Sequence, residues 1–381
     1  MSVTFIGGSF GESSGAFKRA KALSKENVTV NIYFYYSSRY LFKKNGLIDN
    51  EESDILYFKE IELIKNSISG DVRLIGADSP FSIRAAIHLF KILKESRPAA
   101  VFCHHSFISA LGAILSRLSG VKKVYILEMS DIKRKSTVLR IFTSIAYLFS
   151  KNIISISVAT QNSMGFIEKI TSFKKKISIY NGVDIDRIIN RDQSIDSYLL
   201  RQYGLSKDGY IYYAGRFVEV KNISLLIDAF RNLKSFPGFE DVKLVLSGSG
   251  PETLHIQEMV QRYNLGRDII FTGNVPYDHV LSLMSSASVY TMCSFSEGFS
   301  ESIVQAMTLG KVIVATNNPS FTEALSPDRG ILTEFDSCKY SAQLSKAILD
   351  ISLRSRLSLN AKAATKEYAI SNIINSYKKL I

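Results

Sequence analysis

Short apolar runs alternate with longer stretches of helical period along the whole chain, and the alternation is carried out twice. Residues 2–6, 28–34, 72–75, 100–103, 123–127, 153–157 and 176–179 read as strands, with helical patterns at 14–25, 81–95, 106–118, 135–149 and 161–170. A second series begins at 210, with strands at 210–213, 243–246, 268–271, 288–292, 312–315 and 330–333. Strand and helix taking turns in this way is the pattern of parallel sheets covered by helices. The expected fold is therefore α/β: two facing, doubly wound domains with a cleft between them. The turn-rich N-G-V-D-I-D at 181–186 is the expected hinge. It separates a first domain, 1–183, from a second, 184–360, and the helical pattern of 361–381 is expected to pack back on the first.

Composition agrees with this size and class. A chain of 381 residues has room for about two domains, and 46% hydrophobic with 22% charged residues is a core-forming balance. Cys103, Cys293 and Cys338 are odd in number and lack metal-ligand spacing, which predicts a reducing compartment and free thiols. M-S-V-T-F-I-G-G runs straight into a strand, and no apolar stretch reaches the roughly 18 residues of a membrane span. A cytoplasmic protein is expected.

Charge changes the picture more. Residues 1–185 hold 26 Lys and Arg against 15 Asp and Glu, whereas residues 186–381 hold 21 against 20, so the net +12 sits almost wholly in the first half. Lys133, Arg134, Lys135, Arg140 and Lys151 surround the run V-L-R-I-F-T-S-I-A-Y-L-F, which predicts an amphipathic helix with a positive rim, open to two readings: a peripheral foot on an anionic membrane surface, or a core helix with solvated ends. Nucleic acid is the rival anion. It is disfavoured, because the cations form no recognition helix and no aromatic-glycine sheet signature is present.

The candidate chemistry lies at strand ends of the second series. In Y-A-G-R-F-V-E-V-K-N, Gly215 permits a tight turn while Arg216 and Lys221 follow the strand, and two cations there suit a diphosphate. In S-F-S-E-G-F-S-E-S-I-V-Q, Glu297 precedes Gly298, Phe299 and Ser300, and a helix starts near Glu301 and Ser302. A carboxylate beside a helix start joins a holder of sugar hydroxyls to an anion site. L-S-G-S-G-P-E and F-T-G-N-V are two further strand ends of the same sheet, useful for close packing or ligand approach.

This ordered set resembles the family-4 retaining glycosyltransferases of GT-B architecture, two facing Rossmann-like domains. The resemblance runs from S-G-A-F-K-R-A through N-G-V-D, G-R-F-V-E-V-K, G-S-G-P-E, F-T-G-N-V and E-G-F-S to the region of Glu323. It implies transfer of a sugar from a nucleotide diphosphate sugar to a glycan or lipid-linked acceptor, without a metal cofactor, in surface polysaccharide assembly. It further implies that Arg216 and Lys221 neutralise the diphosphate, that Glu297 contacts the donor sugar, that the residue eight positions later contacts the ribose, and that Gly15 approaches the diphosphate from the first domain.

The departures are specific. That ribose position holds Gln305, Ser300 stands where the family usually has glycine, and Val312 replaces a usual proline. Where the family places a histidine after the strand ending at Leu127, this chain has E-M-S-D, so the acceptor-side residue is Glu128, Asp131 or the nearby His105. His104 reads as a structural strand-end histidine. The D-x-D at Asp184 and Asp186 lies in the hinge, where a cap is expected rather than a cation site. Two rival functions remain: an inactive nucleotide-sugar-binding subunit, and a dehydrogenase-like protein, the latter opposed by the lack of G-x-G-x-x-G after the first strand.

Overall fold

Strands that are apolar without interruption are buried on both faces, which only helices on either side of a parallel sheet can arrange. The computed structural model describes residues 1–7, 15–36, 58–59, 61–104 and 106–381, and in it every strand pairing is parallel. The chain forms two compact units, Met1–Gly182 with Ile370–Ile381, and Val183–Ala369. The expected helix start at Ser14 lies outside the described residues.

Unit 1 holds β1 (Ser2–Gly7), β2 (Thr29–Tyr36), β3 (Val72–Ala77), β4 (Ala100–His104), β5 (Val124–Glu128), β6 (Asn152–Ser155) and β7 (Lys176–Ser178), in the order β3-β2-β1-β4-β5-β6-β7. Alternate residues serve opposite cores: Val101, Cys103 and Ile126 face the layer of helices Ile83–Ser96, Ser106–Leu118 and Thr137–Phe149, while Ala100, Phe102 and Leu127 face Gly15–Ser24 and Ile370–Lys378. The last helix is fastened by its end. The Tyr125 hydroxyl donates to the Leu380 carbonyl at 2.6 Å, and the Tyr377 ring packs tilted against Phe102, centroids 5.6 Å apart. Residues 361–369 stay with unit 2.

Unit 2 holds β8 (Tyr210–Ala214), β9 (Lys243–Ser247), β10 (Ile269–Gly273), β11 (Val289–Met292), β12 (Val312–Thr316) and β13 (Ile331–Thr333), in the order β10-β9-β8-β11-β12-β13. Each sheet thus reverses its winding once, between β1 and β4 in unit 1 and between β8 and β11 in unit 2. Such reversals open a crevice beyond the carboxyl ends of the strands.

At the join, Val183 bridges to Ala369 and its amide donates to Tyr368 at 2.9 Å. Gly182 lies against Ile370 so closely that a Cβ would collide with it, which explains the glycine of N-G-V-D. Beside it is Arg19, only 1% exposed. Its guanidinium donates to the Asn181 side chain, lies 3.7 Å from the Met129 sulfur and sits 5.7 Å over the Tyr377 ring. One buried cation therefore ties the first helix, the hinge and the last helix together.

Two expected helices differ from their sequence pattern. The single helix of 161–170 is two, Val158–Asn162 and Phe166–Thr171, because the Ser163 hydroxyl donates back to Thr160 at 2.7 Å and accepts the Ile132 amide at 2.9 Å, and Gly165 restarts the helix. The helix expected from Lys135 starts at Thr137 behind an Ser136 cap, since Lys135 turns inward to Glu128 at 2.6 Å. Arg140 grips Glu168 with two bonds, of 2.7 and 2.9 Å. Two of the five cations assigned to the positive rim are thus spent on internal carboxylates.

Arg19→Ala removes a buried side chain and leaves Asn181 unsatisfied, so unfolding in urea is expected to lose about 2–4 kcal/mol. The Arg140 guanidinium, by its hydrogen bonds, holds the Glu168 carboxyl below the usual carboxylate range. A depressed folded pKa contributes stability above the ordinary pKa that disappears as acid titrates the folded group. Melting temperature should therefore fall more steeply below about pH 5 in the native chain than in Glu168→Gln.

Candidate active site

β8 is wholly buried, and its tyrosines hold the loop that follows. Tyr212 donates to the Ser247 hydroxyl at 2.8 Å, and the Tyr213 hydroxyl lies 3.4 Å from the Arg216 carbonyl. The loops after β8, β9 and β10 are then laced by backbone bonds: Gly215 to Ser247 at 3.0 Å, Phe217 to Ser249 at 2.9 Å, and Gly248 to Gly273 at 2.9 Å. Gly248 has a left-handed φ of +133°, and a Cβ there would collide with the Gly215 carbonyl. Of the two uses open to G-S-G-P-E, loop-on-loop packing is the one observed.

From this braced loop the Arg216 side chain is exposed, with no hydrogen-bond or ion-pair partner for its guanidinium among the described residues. The chain then makes a tight turn, Glu219–Lys221, closed by Lys221 to Val218 at 2.8 Å. Asn222 takes the left-handed conformation with φ 50° and leads into the helix Ile223–Lys234. Lys221 is thereby set at a helix start on the β8 side of the sheet reversal.

Glu297 comes from the other side of that reversal, the loop after β11. The loop is pinned at Ser294, whose carbonyl accepts from Thr316 and from Asn318, each at 2.9 Å. Asn318 also caps the helix Pro319–Ala324. Phe295 donates to the Val220 carbonyl at 2.9 Å, joining the two loops through their backbones. Their side chains meet as well. Lys221 Nζ pairs with Glu297 Oε1, and the Ser294 hydroxyl donates to the same oxygen at 2.8 Å. The pair is partly buried, Lys221 being 20% and Glu297 13% exposed.

Gly298 marks a bend, and the Phe299 ring packs tilted against Tyr368, centroids 5.7 Å apart. Ser300 stands at the N-cap of the helix Glu301–Thr308 but makes no capping bond; its hydroxyl lies 3.2 Å from that of Ser302. The first turn of this helix is therefore without a side-chain cap. Gln305, buried, donates to the Tyr277 hydroxyl at 3.3 Å. Burial pushes that phenol up to about 12, and Arg187 lies 4.7 Å over its ring.

On unit 1, Gly15 is the first residue of its helix, and His105 lies outside the described residues. His104 is buried at the end of β4 with its ring against Gly7. Glu128 ends β5 and is buried against Lys135. Asp131 caps the turn Ile132–Arg134, accepting from Lys133 at 2.9 Å. In the hinge, Asp184 caps Ile185–Ile189, accepting from Arg187 at 3.0 Å. Of the sequence-derived set, Lys221 and Glu297 are in direct contact, Arg216 shares the loop of Lys221, and Glu128 and Asp131 are engaged within unit 1. The sequence reading missed Ser294, Thr316 and Asn318, which anchor Glu297; N-N-P-S at 317–320, a cap residue before proline, carried a legible sign of the last.

Residues 199–364 match the family of glycosyl transferases group 1. The chain is 28% identical over 217 residues to an N-acetylgalactosamine-N,N'-diacetylbacillosaminyl-diphospho-undecaprenol 4-alpha-N-acetylgalactosaminyltransferase of Campylobacter jejuni, covering 54% of this chain and 55% of that protein. It is 30% identical over 188 residues to the O-antigen chain mannosyltransferase B of Escherichia coli, covering 48% of this chain and 49% of that one. The chain thus spans about half the length of these two curated relatives. Over its whole length it superposes on the Anabaena protein HepE in complex with UDP, with a TM-score of 0.80 at 18% identity, covering 100% of this chain and 99% of that one. Residues 199–364 are thus similar to the glycosyl transferases group 1, and the chain as a whole has the two-domain α/β fold of the GT-B glycosyltransferases.

Proposed function

We propose that this chain is a retaining glycosyltransferase that moves a sugar from a nucleotide diphosphate sugar to a glycan or lipid-linked acceptor in surface polysaccharide assembly, working at the cytoplasmic side of a membrane. The observation that carries the reading is the Lys221–Glu297 pair at the reversal between β8 and β11, with Arg216 on the same loop. The relatives act in keeping with it: one transfers to a diphospho-undecaprenol glycan, another extends an O-antigen chain, and the structural neighbour holds UDP.

In this reading Arg216 and Lys221 take the diphosphate charge, and the uncapped start of Glu301–Thr308 adds its amides. Glu297 turns sugar hydroxyls toward the reaction, with Gly215, Gly298, Phe299, Ser300 and Ser302 shaping the pocket. Gln305 meets the ribose. The bond between the anomeric carbon and the phosphate oxygen breaks as the acceptor hydroxyl attacks from the same face. Its proton passes to the departing phosphate oxygen. Stabilisation of the leaving group is electrostatic and comes from protein cations, so the reading calls for no metal ion. In the same reading Gly15 meets the donor and His105 the acceptor. Asp131 is the acceptor-side carboxylate of choice, because Glu128 is buried against Lys135.

A second reading is favoured by one observation, the amide of Gln305 bound to Tyr277 where a carboxylate would meet ribose. It makes the chain a donor-binding subunit without activity of its own.

A thermal-shift panel of nucleotide diphosphate sugars identifies the donor, since a ligand of the folded state raises Tm by an amount that grows with the logarithm of its concentration over its Kd. With that donor, Arg216→Ala and Lys221→Ala are each expected to lower kcat/KM about 10²–10³-fold while melting as cooperatively as the native chain. Full activity in both would reject the diphosphate assignment, and binding without transfer to any acceptor would favour the second reading. Gln305→Ala is expected to raise the donor Kd several-fold, roughly the loss of one hydrogen bond, with kcat little changed. An unchanged Kd would remove Gln305 from the ribose.

A further inference from the structure

Helix Thr137–Phe149 of unit 1 is apolar on its outer as well as its inner face, and helix Phe166–Thr171 is turned inside out. The first buries Thr143, Ser144, Ala146 and Tyr147 while its outer face shows Val138, Ile141 and Leu148 to solvent. The second buries the carboxylate of Glu168, 1% exposed, and presents Phe166, 78% exposed, with Ile170 and then Phe173 beyond its end. An ordinary surface helix does the reverse. The inversion is built in: the twofold bond of Arg140 to Glu168 clamps the helices together from the inside, and at Gly165 a Cβ would collide with the Arg140 guanidinium. Neither helix can roll its apolar side inward without breaking that buried pair.

Charge identifies what covers this surface. Between residues 132 and 176 the only acidic residue is Glu168, which is buried, whereas Lys133, Arg134, Lys151, Lys169, Lys174 and Lys176 are exposed. The core of a protein interface is poor in lysine. Apolar side chains ringed by lysines with no countercharge instead match the acyl boundary and the anionic headgroups of a bilayer. No helix among the described residues is long and apolar enough to cross a membrane, so the surface lies on the bilayer rather than through it. We propose that these two helices form a monotopic docking surface for an anionic lipid bilayer, with Phe166, Ile170 and Phe173 entering the interface and Lys169 and Lys174 reading the headgroups. This replaces the foot expected from sequence, whose Lys135 and Arg140 are consumed internally and which lacked the second helix altogether. It deepens the lipid-linked, membrane-side part of the proposed function, yet its chemistry is separate from that of the donor site in unit 2.

The chain contains no tryptophan, so Phe173→Trp supplies a single reporter. Titrated with phosphatidylcholine vesicles containing phosphatidylglycerol, its emission is expected to shift to the blue, less so at high salt and little with phosphatidylcholine alone. In cosedimentation, Lys169→Glu with Lys174→Glu, and separately Phe166→Ser with Ile170→Ser, should each weaken binding to the anionic vesicles about tenfold or more while leaving the donor-induced thermal shift unchanged. An unmoved emission maximum, or equal sedimentation of native chain and both variants, would overturn the proposal. So would lipid-free dimerisation that the same variants abolish, which would assign the surface to a second copy of the chain. Because vesicle binding is read without any sugar nucleotide, its failure is distinguishable from failure of the donor assignment.

Discussion

The ion pair between Lys221 and Glu297 spans the one place in unit 2 where neighbouring strands lead the chain in opposite directions round the sheet. Everything near it works to keep the two ends still. The β8 loop is braced on the β9 loop through backbone, the β11 loop hangs from Thr316 and Asn318 by the Ser294 carbonyl, and Phe295 joins the two. A half-buried ion pair gains little net stability, since desolvation offsets much of the attraction. Its value lies in position. With Glu297 as countercharge, Lys221 stays at the sheet reversal when no anion is present, while Arg216 keeps its full charge exposed. Under the proposed chemistry a diphosphate takes over Lys221 and the sugar hydroxyls take over Glu297, so ligand replaces an existing pair without burying a bare charge. That is preorganisation in the sense that matters for a charged leaving group.

Charge is handled differently in unit 1. There the charges turned inward are held in isolated ties: Arg19 with Asn181 and the face of Tyr377, Lys135 with Glu128, Arg140 with Glu168. The first joins segments 162 residues apart and the last segments 28 apart, while Lys135 reaches back only seven residues to Glu128. The Arg140–Glu168 tie has a further consequence, because it holds two helices with apolar side chains facing outward. The cost of showing phenylalanine and isoleucine to water is accepted in exchange for a specified surface.

Much of this was legible before any coordinates. The thirteen strands among the described residues stand where short apolar runs predict them, although β3, β7 and β13 at the sheet edges are only partly buried. The run at 161–170 was misread because its apolar spacing fits one helix, and a serine that bonds back to its own turn, followed by glycine, breaks it. Lys135 and Arg140 were counted as surface cations because their partners, Glu128 and Glu168, come from other elements, and no local pattern announces a long-range pair. The same limit hid Ser294 and Thr316 beneath Glu297. Local chemistry showed which residues end strands; which of them touch depends on strand order, and that is decided by the whole sheet.

The uneven charge of the two halves now has a structural meaning. In unit 2 the acids nearly equal the bases, and many are paired: Arg191 with Asp196, Lys234 and Lys243 with Asp268, Lys221 with Glu297. Neutralising the background in this way sharpens the local field of an unpaired cation such as Arg216, because a small anion then meets few competing charges nearby. Unit 1 carries its surplus openly, spread over lysines beside exposed apolar side chains. A diffuse, weakly directional field of that kind cannot select one phosphate among many. It suits a ligand that is itself an extended sheet of charge, and the division of the net +12 between the units is a division between these two kinds of anion.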